Sequence, residues 1–135
     1  MDSIIRTFKN AKRHYEDTRI ITDTFKSRHS LEKRIEESTR IIGKYPDRVP
    51  VICERLTKKV PKIDRAKYLC PNDLTVGNFM YVIRKRLHIS SEMALYLFIN
   101  NTIVPVSHNL GLVYDQHKDK DGFLYINYDS ESTFG

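Results

Sequence analysis

A chain of 135 residues with 40% hydrophobic and 30% charged residues, 5 Gly and 5 Pro has material for one hydrophobic core and none of the bias of a collagenous or disordered sequence. Length excludes a second globular domain. The longest apolar run, LYLFI at Leu95–Ile99, falls far short of the roughly 20 residues a membrane-spanning helix needs, and the opening MDSIIRTFKNAKRHY is too charged for a signal peptide, so a soluble, cytoplasmic protein is expected.

The formal net charge of +6 is unevenly spread. Residues 1–44 carry 11 Lys/Arg against 7 Asp/Glu, residues 45–86 carry 10 against 4, and residues 87–135 carry 2 against 6, so a basic front meets an acidic back. Charge alone leaves nucleic acid, anionic lipid and acidic peptide open as partners of the basic part.

Ile4, Ile5, Phe8, Ala11 and Tyr15 recur at spacings of three and four, with Arg6, Lys9, Lys12 and Arg13 between them. This predicts a basic amphipathic helix capped by Ser3. A second helix is expected from Ser30, with Leu31, Ile35, Ser38, Ile41 and Ile42 on one side and Gly43 as its stop; Ser30 lacks the acidic partner of a full capping box. From Arg48 the period changes. VPVIC is a continuous apolar, largely β-branched run, which predicts a strand covered on both faces of its sheet. ERLTKKVPKIDR then reads as a polar connection, and KYLC at Lys67–Cys70 as a short strand closed by Pro71-Asn72-Asp73.

Thr75 is placed to cap a helix through Leu87, with Val76, Phe79, Met80, Val82, Ile83 and Leu87 at helical spacing and Arg84-Lys85-Arg86 facing outward. LYLFI predicts a strand, Asn100-Asn101 a turn, LGLVYDQHK a short helix or turn, and FLYINY at Phe123–Tyr128 a last strand introduced by Lys120-Asp121-Gly122. Two helices, two strands, a helix, a strand, a short helix and a strand make a small α+β fold of the β-grasp kind, its sheet packed on the Thr75–Leu87 helix. The carboxylates of Asp115–Asp121 and Asp129–Glu131 alternate with Lys or Ser and read as solvated turns.

Motifs for catalysis are missing from the sequence: it has no Gly-rich phosphate loop, no GxSxG, no HExxH and no paired-cysteine metal motif. Cys53 and Cys70 sit in apolar segments without metal-ligand spacing, which predicts reduced, packed thiols. A thiol inside an apolar strand is a poor nucleophile, because burial raises its pKa. The five histidines are scattered among polar residues and read as solvated side chains. No enzyme, cofactor or metal is expected.

Several segments together are specific: RVPVICER at Arg48–Arg55, KYLCPNDLTVGNFMYVIRKRL at Lys67–Leu87, LFINNTIVP at Leu97–Pro105, HKDKDGFLYINY at His117–Tyr128, and the terminal TFG. In unbroken order from Phe25 to Gly135 they resemble the autophagy-related protein 8 family of ubiquitin-like modifiers, which includes the GABA-receptor-associated protein and the microtubule-associated light chain 3 proteins. The resemblance implies a ubiquitin-like fold with additional N-terminal helices, spanning residues 25–135 with a flexible tail at 129–135. Residues 1–24 precede the usual family start and form an extension. The sequence ends at Gly135, where many members carry further residues that a cysteine protease removes; either no processing is needed or this is the mature form.

The resemblance also implies a receptor groove. Glu37, Ile41, Pro50, Ile52, Lys67, Leu69 and Phe123 match the family's pocket for the aromatic residue of an aromatic-x-x-aliphatic receptor motif. Tyr68, Cys70, Pro71, Leu74, Phe79, Val82 and Ile83 match the pocket for the aliphatic residue, with Cys70 where the family usually has valine. Read without the resemblance, most of these are core residues. Arg48, Arg65, Lys67 and Arg86 are assigned to the acidic residues that precede such motifs, and by default such charges only solvate a face. A nucleic-acid reader would interleave aromatics with these cations; Arg84-Lys85-Arg86 and Lys58-Lys59 lack that pairing, so no nucleic-acid partner is expected.

For the tail, the resemblance implies that Gly135 is activated, passed as a thioester between activating and conjugating enzymes, joined to phosphatidylethanolamine and later released by a deconjugating cysteine protease. Phe134 would serve enzyme recognition. The protein would be cytoplasmic when free and on the autophagosome membrane when lipidated. The alternative is an unconjugated ubiquitin-like adaptor in trafficking or cytoskeletal binding that uses the same groove. The Ile4–Tyr15 helix suits either an anionic membrane surface or packing on the protein's own domain.

Overall fold

The structure, a computed structural model, describes residues 21–130. The helix expected over Ile4–Tyr15 and the terminal Phe134 and Gly135 lie outside the described residues. Strand β1 (Arg48–Arg55) pairs antiparallel with β2 (Lys67–Pro71) and parallel with β5 (Leu124–Asp129). Strand β3 (Tyr96–Ile99) pairs antiparallel with β5 and with the short β4 (Thr102–Ile103), giving the order β2-β1-β5-β3-β4. Helices α1 (Phe25–Arg28) and α2 (Leu31–Lys44) precede the sheet, α3 (Val76–Leu87) follows β2, and α4 (Leu110–His117) precedes β5. This is the expected α+β class with helices before the first strand.

The interior strand β1 is covered on both faces, as its apolar run predicts. Val49, Val51 and Cys53 enter the main core with Phe79 and Ile83 of α3, Leu110 of α4, and Leu124, Ile126 and Tyr128 of β5. Ile52 points the other way, into a small second core with Phe25 of α1 and Phe123, flanked by Ile41 and Tyr125. Each fully buried large side chain removes apolar area worth about 1.5–3 kcal/mol. Ser30 and Thr75 cap their helices as expected, accepting from the Lys33 and Asn78 amides. Asn100 and Asn101 take positive φ in the turn between β3 and β4, a conformation asparagine tolerates better than most residues.

The structure departs from the sequence reading at several points. Gly43 does not stop α2; the helix runs through Lys44 to a cap at Tyr45, whose amide reaches the Ile41 carbonyl. The short α1 and β4 are additional to the predicted elements. Helix α1 has a reciprocal cap in which Thr24 and Ser27 bond each other's amides. The ERLTKKVPKIDR connection is anchored, not merely polar, because Leu56, Val60 and Ile63 are buried. On α2, Leu31 and Ile35 stay exposed and Ser38 is the buried residue.

Two carboxylates expected in solvated turns are buried, and each has partners far away in sequence. Asp121 receives the Arg34 guanidinium at 2.7 Å, the Phe123 amide at 2.8 Å and the Tyr125 hydroxyl, while the Ser38 hydroxyl donates to the Asp121 carbonyl. Gly122 sits at φ +92, and a Cβ there would lie 2.5 Å from the Ser38 oxygen, so the turn before Phe123 closes onto α2 only with glycine. Asp129 is fully buried and accepts from the Thr57 hydroxyl at 3.1 Å and the Ser130 amide at 2.8 Å. We predict that Asp121→Ala, which strands the Arg34 charge and the Phe123 amide, costs about 3 kcal/mol in urea unfolding. A loss below about 1 kcal/mol would equate the cluster with a surface ion pair.

Candidate functional site

Strand β2 is an edge: it pairs with β1 on one side and with no strand on the other among the described residues. Side chains alternate along a strand, so Lys67 and Leu69 face α2 while Tyr68 and Cys70 face α3 and the main core. The antiparallel register sets Leu69 opposite Pro50 and Lys67 opposite Ile52. The pleat therefore divides the neighbourhood of one edge into two sites.

On the α2 side, Ile41, Pro50, Lys67, Leu69 and Phe123 line a cavity of ≈170 Å³ together with Val51, Arg65 and Tyr68. Ile52, buried against Phe25 and Phe123, lies in the small core below it. Glu37 holds the lining Lys67, its carboxylate 2.6 Å from Lys67 Nζ, and that ammonium also lies 5.6 Å from the Phe25 ring. The seven residues assigned to an aromatic pocket thus share one locality. Phe25, which the sequence reading leaves out, supports it from beneath.

On the α3 side the assigned residues separate into rim and floor. Pro71 and Val82 are exposed, Tyr68 and Leu74 are half-buried, and Cys70, Phe79 and Ile83 are buried. Tyr68 stands edge-on to Phe79 with ring centroids 5.5 Å apart. The Tyr68 hydroxyl oxygen is buried without a hydrogen-bond partner among the described residues, and burial pushes its pKa up. Burial pushes the Cys70 thiol up to about 12 and raises Cys53 as well, so both serve as packing atoms and not as nucleophiles.

The assigned cations differ in availability. Arg48 is exposed where β1 begins, opposite Pro71. Arg65 donates to the Lys67 carbonyl at 3.1 Å and lies 5.9 Å from the Tyr68 ring. Arg86 is held by Asp64 in a bidentate pair, Nε to Oδ1 at 3.2 Å and Nη2 to Oδ2 at 3.1 Å. Asp64 and Glu37 thus occupy two of the four cations from within the chain. No local sequence signal points to Asp64, whose partner lies 22 residues on. Arg84 serves structure instead, donating to the Ser90 and Met93 carbonyls. The site offers an apolar cavity on the α2 side and a partly exposed apolar rim on the α3 side of a strand edge that is open among the described residues, with cations beside it, a surface suited to an extended peptide.

Comparison with known proteins gives concordant results. The family model described as "Autophagy protein Atg8 ubiquitin like" matches residues 33–135. Autophagy-related protein 8d of Arabidopsis thaliana is 54% identical over 113 residues, covering 83% of this chain and 94% of that protein. Autophagy-related protein 8 of Kluyveromyces lactis is 54% identical over 112 residues, covering 82% of this chain and 90% of the relative. The crystal structure of Trypanosoma brucei ATG8 superposes with a TM-score of 0.77 at 40% identity, over 85% of this chain and 100% of that one.

We predict that Asp64→Asn frees the Arg86 guanidinium while changing unfolding free energy by less than about 1 kcal/mol, since exposed ion pairs contribute little. Calorimetric titration should then show tighter binding of acidic peptides at this edge, with neutral peptides unaffected. Equal change for both peptide types would remove Asp64 from any role in selecting charge.

Proposed function

The chain belongs to the Atg8 family of ubiquitin-like autophagy proteins, and from that premise we propose that it is a modifier joined through Gly135 to phosphatidylethanolamine, and that the β2 edge receives aromatic-x-x-aliphatic motifs of autophagy receptors. The observation that carries the receptor reading is the ≈170 Å³ cavity between Ile41, Pro50, Leu69 and Phe123, open beside an unpaired strand edge. A receptor peptide adds to β2 as a further strand. Backbone hydrogen bonds then supply affinity, and the two sides of the edge select side chains three positions apart, which point to opposite faces of a strand. An aromatic ring enters the Leu69 side and an aliphatic side chain the Tyr68 side. Acidic residues before the motif meet Arg48 and Arg65 directly, and meet Lys67 and Arg86 by displacing Glu37 and Asp64. Such contacts raise association rate and specificity more than affinity.

In the conjugation reading this chain is the substrate of the chemistry, not its catalyst. The Gly135 carboxylate is adenylated, a cysteine thiolate of the activating enzyme displaces the nucleotide, a second cysteine on the conjugating enzyme takes over the acyl group, and the lipid amine displaces it to form an amide. Glycine presents no side chain to these active sites, and Phe134 gives the enzymes, including the deconjugating cysteine protease, an apolar handle. Among the described residues no helix is long and apolar enough to cross a membrane. The two acyl chains of the lipid supply the anchor, where a single chain binds only marginally. The protein then divides between the cytoplasm and the autophagosome membrane according to lipidation.

We predict that an aromatic-x-x-aliphatic peptide binds with micromolar affinity, worth about 8 kcal/mol. Leu69→Ala and Tyr68→Ala should each weaken it roughly tenfold, about 1.4 kcal/mol. Unchanged affinity of both variants in titration calorimetry would refute the groove assignment. Separately, deleting Gly135 should leave peptide binding and unfolding intact but abolish the lipid-linked species, read by intact mass after incubation with activating and conjugating enzymes and phosphatidylethanolamine vesicles. A wild-type chain that stays unmodified there would favour the unconjugated adaptor.

A further inference from the structure

The start of the described chain and the end of β5 lie beside one loop. Near the end of β5, the Tyr128 carbonyl accepts from the Leu56 amide at 2.9 Å, and the Tyr128 hydroxyl donates to the Pro61 carbonyl and accepts from the Ile63 amide, both at 2.7 Å. Thr57 donates to the buried Asp129 carboxylate, and the Ile21 amide donates to the Leu56 carbonyl at 3.0 Å. Leu56, Val60 and Ile63 are buried, while Lys58, Lys59 and Lys62 between them are exposed. The loop is therefore a pinned platform that presents three lysines at the root of residues 131–135.

Among the described residues, no carboxylate lies within ion-pair distance of Lys58, Lys59 or Lys62. Arg55 adds a fourth positive charge, tied to the Val60 carbonyl at 3.2 Å. A cleft of ≈270 Å³ adjoins them, lined also by Arg28, Asp23 and Glu54. Those two carboxylates face Arg28 at 3.7 and 3.9 Å, Glu54 also accepts the Phe25 amide, and Asp129 is enclosed by Thr57 and Ser130. Among the described residues the acids of this region thus have closer partners, and only Glu54 acts on one of the lysines, Lys62, beyond ion-pair distance.

We propose that this lysine platform docks on an anionic phospholipid surface and sets the orientation of the domain once Gly135 is attached to lipid, an inference that rests on the conjugation reading above. The argument is one of reach and charge. Residues 131–135 span at most roughly 18 Å when extended, so a lipid-linked Gly135 holds the root of β5 within that distance of the bilayer. That upper bound is roughly twice the Debye length at physiological salt, so the tether lets the loop come within one Debye length of the surface, where the potential of anionic lipid draws the lysines in. Lysine suits the contact, since its long stem follows a fluid surface while the ammonium meets phosphate. The rigid attachment to Tyr128 then passes the orientation of the loop to the whole sheet.

The test uses the full chain with one cysteine appended after Gly135, coupled to maleimide-bearing phosphatidylethanolamine in vesicles. Cys53 and Cys70 are buried and do not compete for the maleimide. Hydrogen exchange of residues 57–63 is compared on phosphatidylcholine vesicles with and without about 30 mol% phosphatidylserine, where exchange should slow at least about threefold on the anionic vesicles. Lys58→Glu/Lys59→Glu/Lys62→Glu should erase that difference, and Lys33→Glu/Lys118→Glu/Lys120→Glu, with the same change in net charge, should retain it. Equal exchange on both vesicles, slowing that survives the platform variant, or loss in both variants would overturn the proposal. Because exchange is read at the loop itself, lipid binding by residues 1–20 does not mimic the result. Because the linkage is chemical, failure of enzymatic conjugation at Gly135 is seen separately and leaves this test interpretable.

Discussion

The groove depends on one buried carboxylate. Asp121 ties three parts of the chain at one point: Arg34 from α2, the turn that carries Phe123, and Tyr125 from β5. A buried ion pair is often no more stabilising than apolar residues of equal volume, because both charges lose their hydration. What this one contributes is position. A purely apolar contact would let α2 slide along the sheet. The Arg34 guanidinium and the Ser38 hydroxyl, bonded to the side chain and carbonyl of the same residue, fix where Ile41 and Glu37 stand relative to Leu69 and Phe123. The width of the cavity on that side is thus set by polar contacts at its back.

The division between the cavity on the α2 side and the apolar surface on the α3 side follows from the pleat. Because side chains reverse face at each residue, a slip of one position between β1 and β2 would send Leu69 toward the main core and Tyr68 toward α2, exchanging the two sites. Register is held by packing that is unequal on the two faces. Cys70 and Tyr68 fit against Val49, Val51 and Phe79, while Lys67 needs the open side where Glu37 and solvent meet its charge. Cys70 suits its position for the same reason, as a small, apolar, inert group in a buried place.

Legibility of the sequence followed the range of the interactions. Helices α2 and α3 carry capping residues and long apolar periods, and β1 and β5 carry dense apolar runs, so local patterns suffice for them. Helix α1 has four residues and β4 has two, too few for any period to show. Asp121 and Asp129 look like solvated turn residues because their partners, Arg34 and Thr57, lie 87 and 72 residues away. The same holds within the site. The family resemblance supplied the residues around the cavity, but the pairing of Arg86 with Asp64, the support from Phe25 and the separation of the α3 side into rim and floor exist only in three dimensions.

An open strand edge suited to an added peptide strand also invites pairing with any other exposed strand, a second copy of the protein included. Strand β2 meets that hazard by composition. It is only five residues long, ends in Pro71, and carries Lys67 with Arg65 just outside it. Two such edges brought together would bring the cations of one copy near those of the other, with Glu37 and Asp64 already engaged. A peptide bearing acidic residues supplies the missing countercharge and meets no such repulsion. In the proposed reading the cations beside β2 therefore act twice, attracting the intended strand and repelling copies of the chain itself. The internal carboxylates set the threshold, because a ligand must offer Lys67 and Arg86 better geometry than the partners they already hold.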